Sequence, residues 1–433
     1  MNDIIDKSPR LARSLSDWLR WIERLHPRSI DLGLERVTAV LEAMQLRRPA
    51  FPVITVGGTN GKGSTVTMCD AILRAAGYRV GAYMSPHLIR YNERIRVDGD
   101  MISDEEICSA FERIEAHRGD VRLTYFEYGT IAALDIFTRR AIDVAVLEVG
   151  MGGRLDAVNA VDPDVAIVTS VGIDHVDWLG PDRASIGREK AGIFRAARPA
   201  ICGDVDPPAS LIQEAERVGA SLHLLDRDFA AKPAADGWSF RSGERLRAGL
   251  PFPLLRGDYQ LRNAACALTA LELLADRFPT TPAHISKGLL SAFAPGRFQI
   301  LPGPVPTILD VAHNEQAAQA LASNLAQHRV PGITHAVFGM LIDKPIADVA
   351  RALADQVDVW YVVTLAGPRG ARADQVAQAL SEAGVRPPVM QHDSVMTGYD
   401  VARAAAASAD RILVFGSFYT VGDILAHLGI GPA

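Results

Sequence analysis

The segment that decides the fold is FPVITVGGTNGKGSTVTMCDAILRAAG, residues 51–77. In order, it contains a short apolar run, a glycine-rich turn and a longer amphipathic stretch, which is the pattern of a buried strand, a loop and a helix. Glycines allow backbone N–H groups to approach a polyphosphate closely, and the positive end of the following helix attracts the anion. Lys62 adds a cation to the same turn. The pattern predicts a nucleotide-binding loop; the alternative is a glycine turn with a purely structural role.

The loop departs from the common pattern G-x-x-x-x-G-K-[ST] at two places. Val56 stands where the first glycine belongs, and Gly63 separates Lys62 from Ser64. The order G-T-N-G-K-G-S resembles the loop of the Mur ligase superfamily and, more narrowly, that of the folylpolyglutamate synthases. The resemblance implies an ATP site made by Thr59, Asn60, Gly61, Lys62, Gly63 and Ser64.

The rest of the chain repeats the alternation of strand and helix. Near-continuous apolar runs at residues 80–84, 144–149 and 165–171 predict strands that are buried on both faces, as in a parallel sheet. We therefore expect helices on both sides of this sheet.

A segment rich in Pro and Gly, residues 291–306, interrupts the alternation and predicts a domain boundary. After this segment the alternation resumes. We expect an α/β protein of two domains. Residues 1–295 form a P-loop ATPase-like domain with a mostly parallel sheet, and residues 296–433 form a smaller, Rossmann-like α/β domain.

Composition narrows the class of protein. The 433 residues carry a formal net charge of −6, so no global attraction to nucleic acid or to an anionic membrane surface is expected. The four cysteines show no C-x-x-C spacing, which argues against a disulfide framework or a structural zinc site. The N-terminal residues lack the apolar core of a signal peptide, and no apolar run reaches the ~20 residues of a membrane span. We expect a cytoplasmic monomer that has no nucleic-acid or membrane partner.

Polar residues follow three of the predicted strands, at the edge where open α/β sheets bind ligands. Glu148 ends one strand, and a carboxylate beside ATP is a natural Mg²⁺ ligand, with a salt bridge as the alternative. Ser85 begins the segment SPHLIRYNERIRV, and His175 lies in TSVGIDHVDWLG. The resemblance implies that Ser85 and Glu148 bind one Mg²⁺ and that His175 binds a second. Otherwise Ser85 caps a turn and His175 is structural.

The motif E-K-A-G-I, within REKAGIF at residues 188–194, contains Lys190 on a predicted short helix. From the sequence alone, Lys190 is a solvated helix lysine. In folylpolyglutamate synthases the corresponding lysine is typically carbamylated and presents a carboxylate to the magnesium region. The resemblance therefore implies a catalytic role for Lys190.

Three further segments resemble the acceptor-binding parts of the family, although their composition alone predicts only loops and an amphipathic helix. They are DLGLERV (residues 31–37), TYFEYGTIAAL (124–134) and part of LEVGMGGRLDAVN (147–159). Aromatic side chains suit a flat pterin ring. The resemblance implies a pterin or folate site made by Asp31, Leu32, Gly33, Thr124, Tyr125, Phe126, Glu127, Leu155, Asp156 and Ala157.

Nucleotide contacts are also implied beyond the glycine loop. The resemblance assigns Asn263 in GDYQLRNAACAL, Arg297 in PGRFQ and Asp310 in ILDVAHNEQAAQAL to ATP; otherwise Arg297 is a linker residue. His313 follows Asp310 at the end of a predicted strand, where a catalytic group would face the cleft. The family usually has H-N-P at this point, but Glu315 replaces the proline.

The matching segments extend from Asp31 to Leu425, so the resemblance covers nearly the whole chain. It implies an ATP-dependent ligase that adds L-glutamate to dihydropteroate and to tetrahydrofolates through an acyl phosphate, with two Mg²⁺ ions. Lys62 and Arg297 would neutralise phosphate charge, and His313 would accept a proton or orient the amine. Three alternatives stay open: a monofunctional folylpolyglutamate synthase, a Mur-type peptidoglycan ligase and a nucleotide-gated binding protein.

Overall fold

The computed structural model describes residues 13–28 and 30–431. The strands of the larger sheet are β1 (Val53–Gly57), β2 (Val80–Tyr83), β3 (Ile95–Val97), β4 (Asp100–Met101), β5 (Val144–Glu148), β6 (Val165–Val168), β7 (Pro199–Cys202) and β8 (Ser221–Leu224). They lie in the order β4-β3-β2-β5-β1-β6-β7-β8. Strand β3 pairs antiparallel with β2 and β4 at one edge, and the other neighbours pair in parallel.

The central strands β1, β5 and β6 are buried at every position, which explains their near-continuous apolar sequences. Val56 of β1 lies opposite Glu148 of β5 and Ile167 of β6. Because the three strands are parallel and in register, the segments that follow them meet at one edge of the sheet. The predicted ligand residues are thereby gathered at that edge.

Helices pack on both faces of this sheet. They are α1 (Leu15–Leu25), α2 (Glu35–Ala43), α3 (Lys62–Ala75), α4 (Asp104–His117), α5 (Tyr125–Arg139), α6 (Val176–Leu179), α7 (Arg183–Ala191), α8 (Ala209–Val218), α9 (Asp258–Leu273) and α10 (Pro282–Ser291). Ile54 and Val56 share a core with α3, α9 and α10, whereas Val53 belongs to a core with α1, α2, α4 and α5. Alternate residues of a strand thus point to opposite faces.

A small antiparallel sheet, which the predicted alternation does not include, follows β8. It consists of β9 (Phe229–Ala234), β10 (Gly237–Ser242) and β11 (Arg245–Leu250). Trp238 and Phe240 of β10 are fully buried and join the core around α3 and α9. The sheet therefore extends the N-terminal core.

The second large sheet contains β12 (Gln299–Leu301), β13 (Thr307–Asp310), β14 (Thr334–Phe338), β15 (Val359–Val363), β16 (Val389–His392) and β17 (Arg411–Phe415), in the order β12-β13-β17-β14-β15-β16. It is parallel except for β12. Its helices are α11 (Glu315–Gln327), α12 (Ile346–Leu353), α13 (Ala373–Glu382), α14 (Val395–Ala405) and α15 (Phe418–His427).

The predicted fold class, a mostly parallel α/β unit followed by a smaller α/β unit, is confirmed. The boundary between residues 295 and 296 stays a prediction. No helix within the described residues is both long and apolar enough to cross a membrane.

Candidate active site

A cavity of about 540 Å³ lies at the carboxyl ends of the parallel strands. Its walls include segments that follow β1, β2, β5 and β6 of the larger sheet and β13 of the second sheet. Every residue predicted above for ATP, magnesium, pterin or catalysis lines this cavity. The fold thus brings all of them together, while their individual roles stay predictions.

The glycine loop requires glycine at two positions. Gly58 has a φ of +139°, and a Cβ there would lie 2.0 Å from Oγ1 of Thr169. Gly61 has a φ of +87°, and a Cβ there would lie 2.4 Å from Oδ1 of Asn263. Helix α3 begins directly after Gly61 without a side-chain hydrogen bond at its cap. Its first N–H groups are therefore available to a phosphate.

Lys62 is folded over the glycine loop. Its Nζ donates to the carbonyl oxygens of Gly58 and Thr59 at 3.1 and 3.2 Å. Burial lowers the pKa of Lys62, and the negative charges of Glu148 and Asp174 oppose this shift. These two carboxylates favour the charged ammonium at the place where a phosphate is expected.

Glu148 ends β5, is 4% exposed and accepts the backbone N–H of Ser85 at 3.0 Å. Burial raises the pKa of Glu148, and Lys62 is the main charge that opposes this. Among the described residues, no group of three or more His, Cys, Asp or Glu side chains is arranged to hold a metal. Mg²⁺, however, prefers one or two carboxylates together with phosphates and water. Ser85 and Glu148 therefore fit the protein part of a Mg²⁺ site.

His175 has a left-handed backbone, with φ 52° and ψ 42°, at the start of α6. Such conformations are rare for residues other than glycine and cluster at functional sites. Burial lowers the pKa of His175 to about 4, with the charge of Asp174 opposing and that of Lys344 adding to the shift. The imidazole is neutral at pH 7, so a ring nitrogen is free to bind a metal.

Lys190 lies on α7 and is 3% exposed, so its interpretation as a solvated lysine is wrong. Burial, together with the nearby charge of Lys62, lowers the pKa of Lys190 to about 7. A large fraction of this amine is therefore uncharged near neutral pH, which is the form that reacts as a nucleophile.

Asn263 connects α9 to the start of α3. Its Nδ2 donates to Oε1 of Gln260 at 2.9 Å, and Nε2 of Gln260 donates to Oγ of Ser64 at 3.2 Å. These bonds fix the amide beside the glycine loop, where it can contact a nucleotide.

Arg297 and Asp310 face the cavity from the second sheet. The guanidinium carbon of Arg297 lies 5.0 Å from the ring centre of Phe418. Asp310 accepts the N–H groups of Phe298 at 2.8 Å and Ala312 at 2.9 Å. Burial raises the pKa of Asp310 to about 6, although the charge of Arg297 opposes it. The segment before β12 and the end of β13 therefore offer a cation and a carboxylate to the same cavity.

His313 and Asn314 lie between β13 and α11. Nδ1 of His313 is 2.8 Å from the carbonyl oxygen of Val311, and burial lowers the pKa of His313. Asn314 caps α11 by accepting the N–H of Ala317 at 3.0 Å. Glu315 then occupies the first helical position, where proline is common and where an acid is also favoured by the positive helix terminus. Replacement of the proline therefore leaves the turn intact.

The predicted acceptor segments meet on another wall of the cavity. Thr124 caps α5 and forms a reciprocal capping box with Glu127. The ring of Phe126 packs 5.9 Å from that of Tyr83, and a Cβ at Gly150 would lie 2.6 Å from Cζ of Phe126. The ring of Phe126 thus packs against the backbone of Gly150, and this ring provides a flat surface in the cavity wall.

Asp156 is buried in the same wall. It accepts the N–H groups of Met151 at 2.9 Å and Val158 at 3.0 Å. Burial raises the pKa of Asp156 to about 7, although these hydrogen bonds favour the ionised form. The carboxyl group is therefore held in one orientation beside the cavity.

The sequence did not indicate the contacts that join the two sheets at this site. Nζ of Lys344 lies 2.6 Å from Oδ1 of Asp174, and both side chains are buried. Nδ2 of Asn60 lies 3.1 Å from Oδ1 of Asn314 and 2.7 Å from Oε1 of Gln316. Lys344 ends the segment VFGMLIDK, residues 337–344. Its Asp-Lys dipeptide is too weak a motif to predict a contact with Asp174, which is distant in the chain.

Comparisons with known proteins agree with this geometry. The profile of the Mur ligase middle domain matches residues 56–271, and that of the Mur ligase, glutamate ligase domain matches residues 296–418. The dihydrofolate synthase/folylpolyglutamate synthase of Escherichia coli strain K12 is 45% identical over 422 residues, which are 98% of this chain and 97% of that protein.

Solved structures are equally similar. Escherichia coli FolC in complex with DHPP and ADP superposes with a TM-score of 0.93 and 44% identity, covering 98% of this chain and 99% of that chain. A bifunctional folylpolyglutamate synthase/dihydrofolate synthase with Mn, AMPPNP and L-glutamate bound has a TM-score of 0.90 and 45% identity, covering 98% of this chain and 100% of that chain. The resemblance read from the glycine loop is confirmed. The chain therefore belongs to the dihydrofolate synthase/folylpolyglutamate synthase family, whose members are ATP-dependent ligases with the Mur ligase fold.

Proposed function

We propose that this protein adds L-glutamate to dihydropteroate, forming dihydrofolate, and to tetrahydrofolates, forming folylpolyglutamates, at the expense of ATP. One observation carries the proposal: the glycine loop around Lys62, the buried carboxylate of Glu148 and the segments predicted to bind the acceptor line a single cavity. The similarity extends over both domains and at least 97% of the Escherichia coli relative, whose name includes both activities. Solved relatives bind DHPP, ADP, AMPPNP, Mn and L-glutamate.

The first step is transfer of the γ-phosphoryl group of ATP to the acceptor carboxylate, which yields an acyl phosphate and ADP. This step requires positioning and charge neutralisation rather than a covalent enzyme nucleophile. We assign charge neutralisation to Lys62, the N–H groups at the start of α3 and Arg297. Asn263 and Asp310 hold the nucleotide.

Two Mg²⁺ ions belong to this proposal. Ser85 and Glu148 would hold one ion and His175 would hold the second. Bound there, the ions would supply positive charge that offsets the charge of the ATP phosphates. Substitution of Glu148 by Gln should raise the Mg²⁺ concentration needed for half-maximal ADP release, while a change confined to the acceptor KM would contradict the assignment.

We further propose that Lys190 is carbamylated. Its uncharged Nζ attacks the carbon of CO₂, one N–H proton leaves to solvent, and a carbamate with one negative charge results. Labelled bicarbonate should give a carbamate signal in carbon NMR that Lys190→Ala lacks. Short carboxylic acids should partly restore activity to Lys190→Ala. A wild-type protein without the signal would contradict this step.

In the second step the amine of L-glutamate attacks the acyl phosphate, and phosphate leaves as the amide forms. We assign glutamate binding to the second domain, residues 296–433, and acceptor binding and most of the ATP site to residues 1–295, with Arg297 and Asp310 of the second domain completing the nucleotide site. His313 accepts a proton from the attacking amine or orients it. Water must be excluded, because it would hydrolyse the acyl phosphate.

The decisive experiment measures ADP release that depends on both glutamate and acceptor, with dihydropteroate and tetrahydrofolate compared in parallel. Both acceptors should support turnover, and Lys62→Ala should abolish it. Activity with tetrahydrofolate alone would indicate a monofunctional folylpolyglutamate synthase. ATP binding without glutamate-dependent turnover would contradict the ligase assignment.

We also propose that the protein acts as a cytoplasmic monomer. The negative net charge and the scattered cysteines support this. Light scattering after size-exclusion chromatography tests the oligomeric state, and cell fractionation tests the compartment.

A further inference from the structure

One arginine of the segment DLGLERV, to which the sequence analysis assigned no role, joins the segments of the proposed acceptor site. Arg36 lies near the start of α2. Its Nη1 is 2.9 Å from Oδ2 of Asp31, and its Nη2 is 3.1 Å from Oε1 of Glu127. Nη2 also donates to the backbone carbonyl oxygen of Asp31 at 2.5 Å. The guanidinium therefore holds both the backbone and the side chain of the loop that carries Asp31.

Glu127 is a fixed anchor for this guanidinium. Its side chain is 4% exposed, and its Oε2 accepts the backbone N–H of Thr124 at 2.7 Å. Planar guanidinium groups bind carboxylates in defined geometry, and removal of one partner of a buried pair leaves the other charge without compensation. Arg36 thus connects the Asp31 loop to the start of α5.

The third acceptor segment, residues 155–157, is joined to the loop at residues 31–33 by a hydrogen bond between backbone groups. The N–H of Gly33 donates to the carbonyl oxygen of Leu155 at 3.3 Å. A shift of the loop at residues 31–33 is therefore transmitted to residues 155–157. Asp31 also has two weaker neighbours, His26 at 3.3 Å and the exposed Arg28 at 3.6 Å. The Arg28 pair is exposed and contributes little, and of these three partners of Asp31 Arg36 alone also contacts Glu127, so Arg36 is the one that joins this loop to α5.

We propose that Arg36 is a positioning residue that sets the arrangement of the three acceptor segments and thereby the affinity for dihydropteroate. The inference rests on the proposed function and deepens it. Arg36 acts through Asp31 and Glu127 and does not line the cavity itself. Dihydropteroate is flat and has few rotatable bonds, so its binding depends on a preformed pocket. Loss of Arg36 should weaken acceptor binding and leave the nucleotide side of the cavity unchanged.

The test compares Arg36→Ala, which removes both the positive charge and the planar guanidinium group, with Arg36→Lys, which keeps the positive charge but lacks the guanidinium group. The KM for dihydropteroate should rise at least about tenfold in Arg36→Ala and less in Arg36→Lys, since the charge-assisted contacts with Asp31 and Glu127 are lost. The KM for ATP should change less than about twofold, because no nucleotide contact is altered. The matched control is Arg20→Ala, which also loses an aspartate partner at 2.6 Å but is 67% exposed; its constants should equal those of the wild type.

An unchanged dihydropteroate KM in both variants, or an equal rise in the KM for ATP, would overturn the inference. If circular dichroism shows that Arg36→Ala is unfolded, Arg36→Lys decides the question alone. Failure of the wild-type protein to ligate glutamate to dihydropteroate would contradict the proposed function itself, and the inference would fall with it.

Discussion

Gly61 shows how the absence of one side chain shapes the nucleotide site. Gly61 and Gly77 have similar backbone angles, φ +87° and +92°, but a Cβ would meet Asn263 at Gly61 and no atom within 4 Å at Gly77. Gly61→Ala should therefore raise the KM for ATP at least about tenfold, because the loop or Asn263 must move. Gly77→Ala should cost only backbone strain of about 1–2 kcal/mol, without a change in KM. Initial rates and urea unfolding of the two variants test this, and equal KM values would contradict it.

Asp310 should make stability depend on pH when no nucleotide is bound. Burial raises the pKa of this carboxyl to about 6, whereas an unfolded aspartate releases its proton near pH 4. Between these values the folded state binds more protons than the unfolded state, so the free energy of unfolding falls as pH rises. The wild type should lose about 2 kcal/mol relative to Asp310→Asn over this range. Urea unfolding at pH 4 and pH 6 measures the difference; parallel pH profiles would contradict it.

The residues that sequence could indicate are those whose neighbours along the chain carry the signal. Lys62 stands within a glycine turn, and Glu148 ends an apolar strand, so local pattern was sufficient to select them. Arg36 and Lys344 bind carboxylates that lie 91 and 170 residues away. Such pairs exist only because the sheets bring distant segments together, and no local pattern encodes them.

Two helix caps of the same chemistry separate stability from function. Oγ of Ser103 accepts the N–H of Glu106 at the start of α4, and Oγ1 of Thr124 accepts the N–H of Glu127 at the start of α5, both at 3.3 Å. Substitution of either by Ala should lower the free energy of unfolding by about 1 kcal/mol. Only Thr124→Ala should also raise the KM for dihydropteroate, because Glu127 lines the cavity.

Urea unfolding and initial rates distinguish the two effects. A Thr124→Ala variant that loses stability but keeps its acceptor KM would place Glu127 outside the acceptor site. A Ser103→Ala variant with an altered KM for dihydropteroate would show that the loss of a helix cap alone changes this KM. The effect of Thr124→Ala could then not be assigned to Glu127.

The strands β1, β2, β5 and β6 of the larger sheet were predicted, since near-continuous apolar runs such as β1 have few other interpretations, whereas its outer strands β3, β4, β7 and β8 were not. The sheet β9-β10-β11 was missed, although Asp236-Gly237 precedes alternating buried residues at Trp238 and Phe240. A turn dipeptide with alternation is a hairpin signal. The polar outer positions of these strands concealed it, because only one face is buried.

At the level of the entire chain, the site exists because the carboxyl ends of two sheets face one cavity. Lys344 of the second domain and Asp174 of the first form an ion pair at 2.6 Å, with side chains 7% and 8% exposed. Burial alone would raise the pKa of Asp174, but His175 and Lys344 hold it well below its usual range. The contribution of the pair is therefore present above about pH 4 and is lost as the pH falls through the folded-state pKa.

Lys344→Met should lower the free energy of unfolding by about 3–5 kcal/mol at pH 7, because Asp174 is left buried with less compensation. Arg351→Met is the matched control: it loses a pair with Asp348 at 2.6 Å, but those side chains are 57% and 47% exposed, so the change should be less than about 1 kcal/mol. Lys344→Met should also slow ADP release, since the domains must meet for the second substrate to reach the acyl phosphate. Equal, small losses of stability would mean that the Asn60–Asn314 hydrogen bonds and apolar contacts hold the domains together instead.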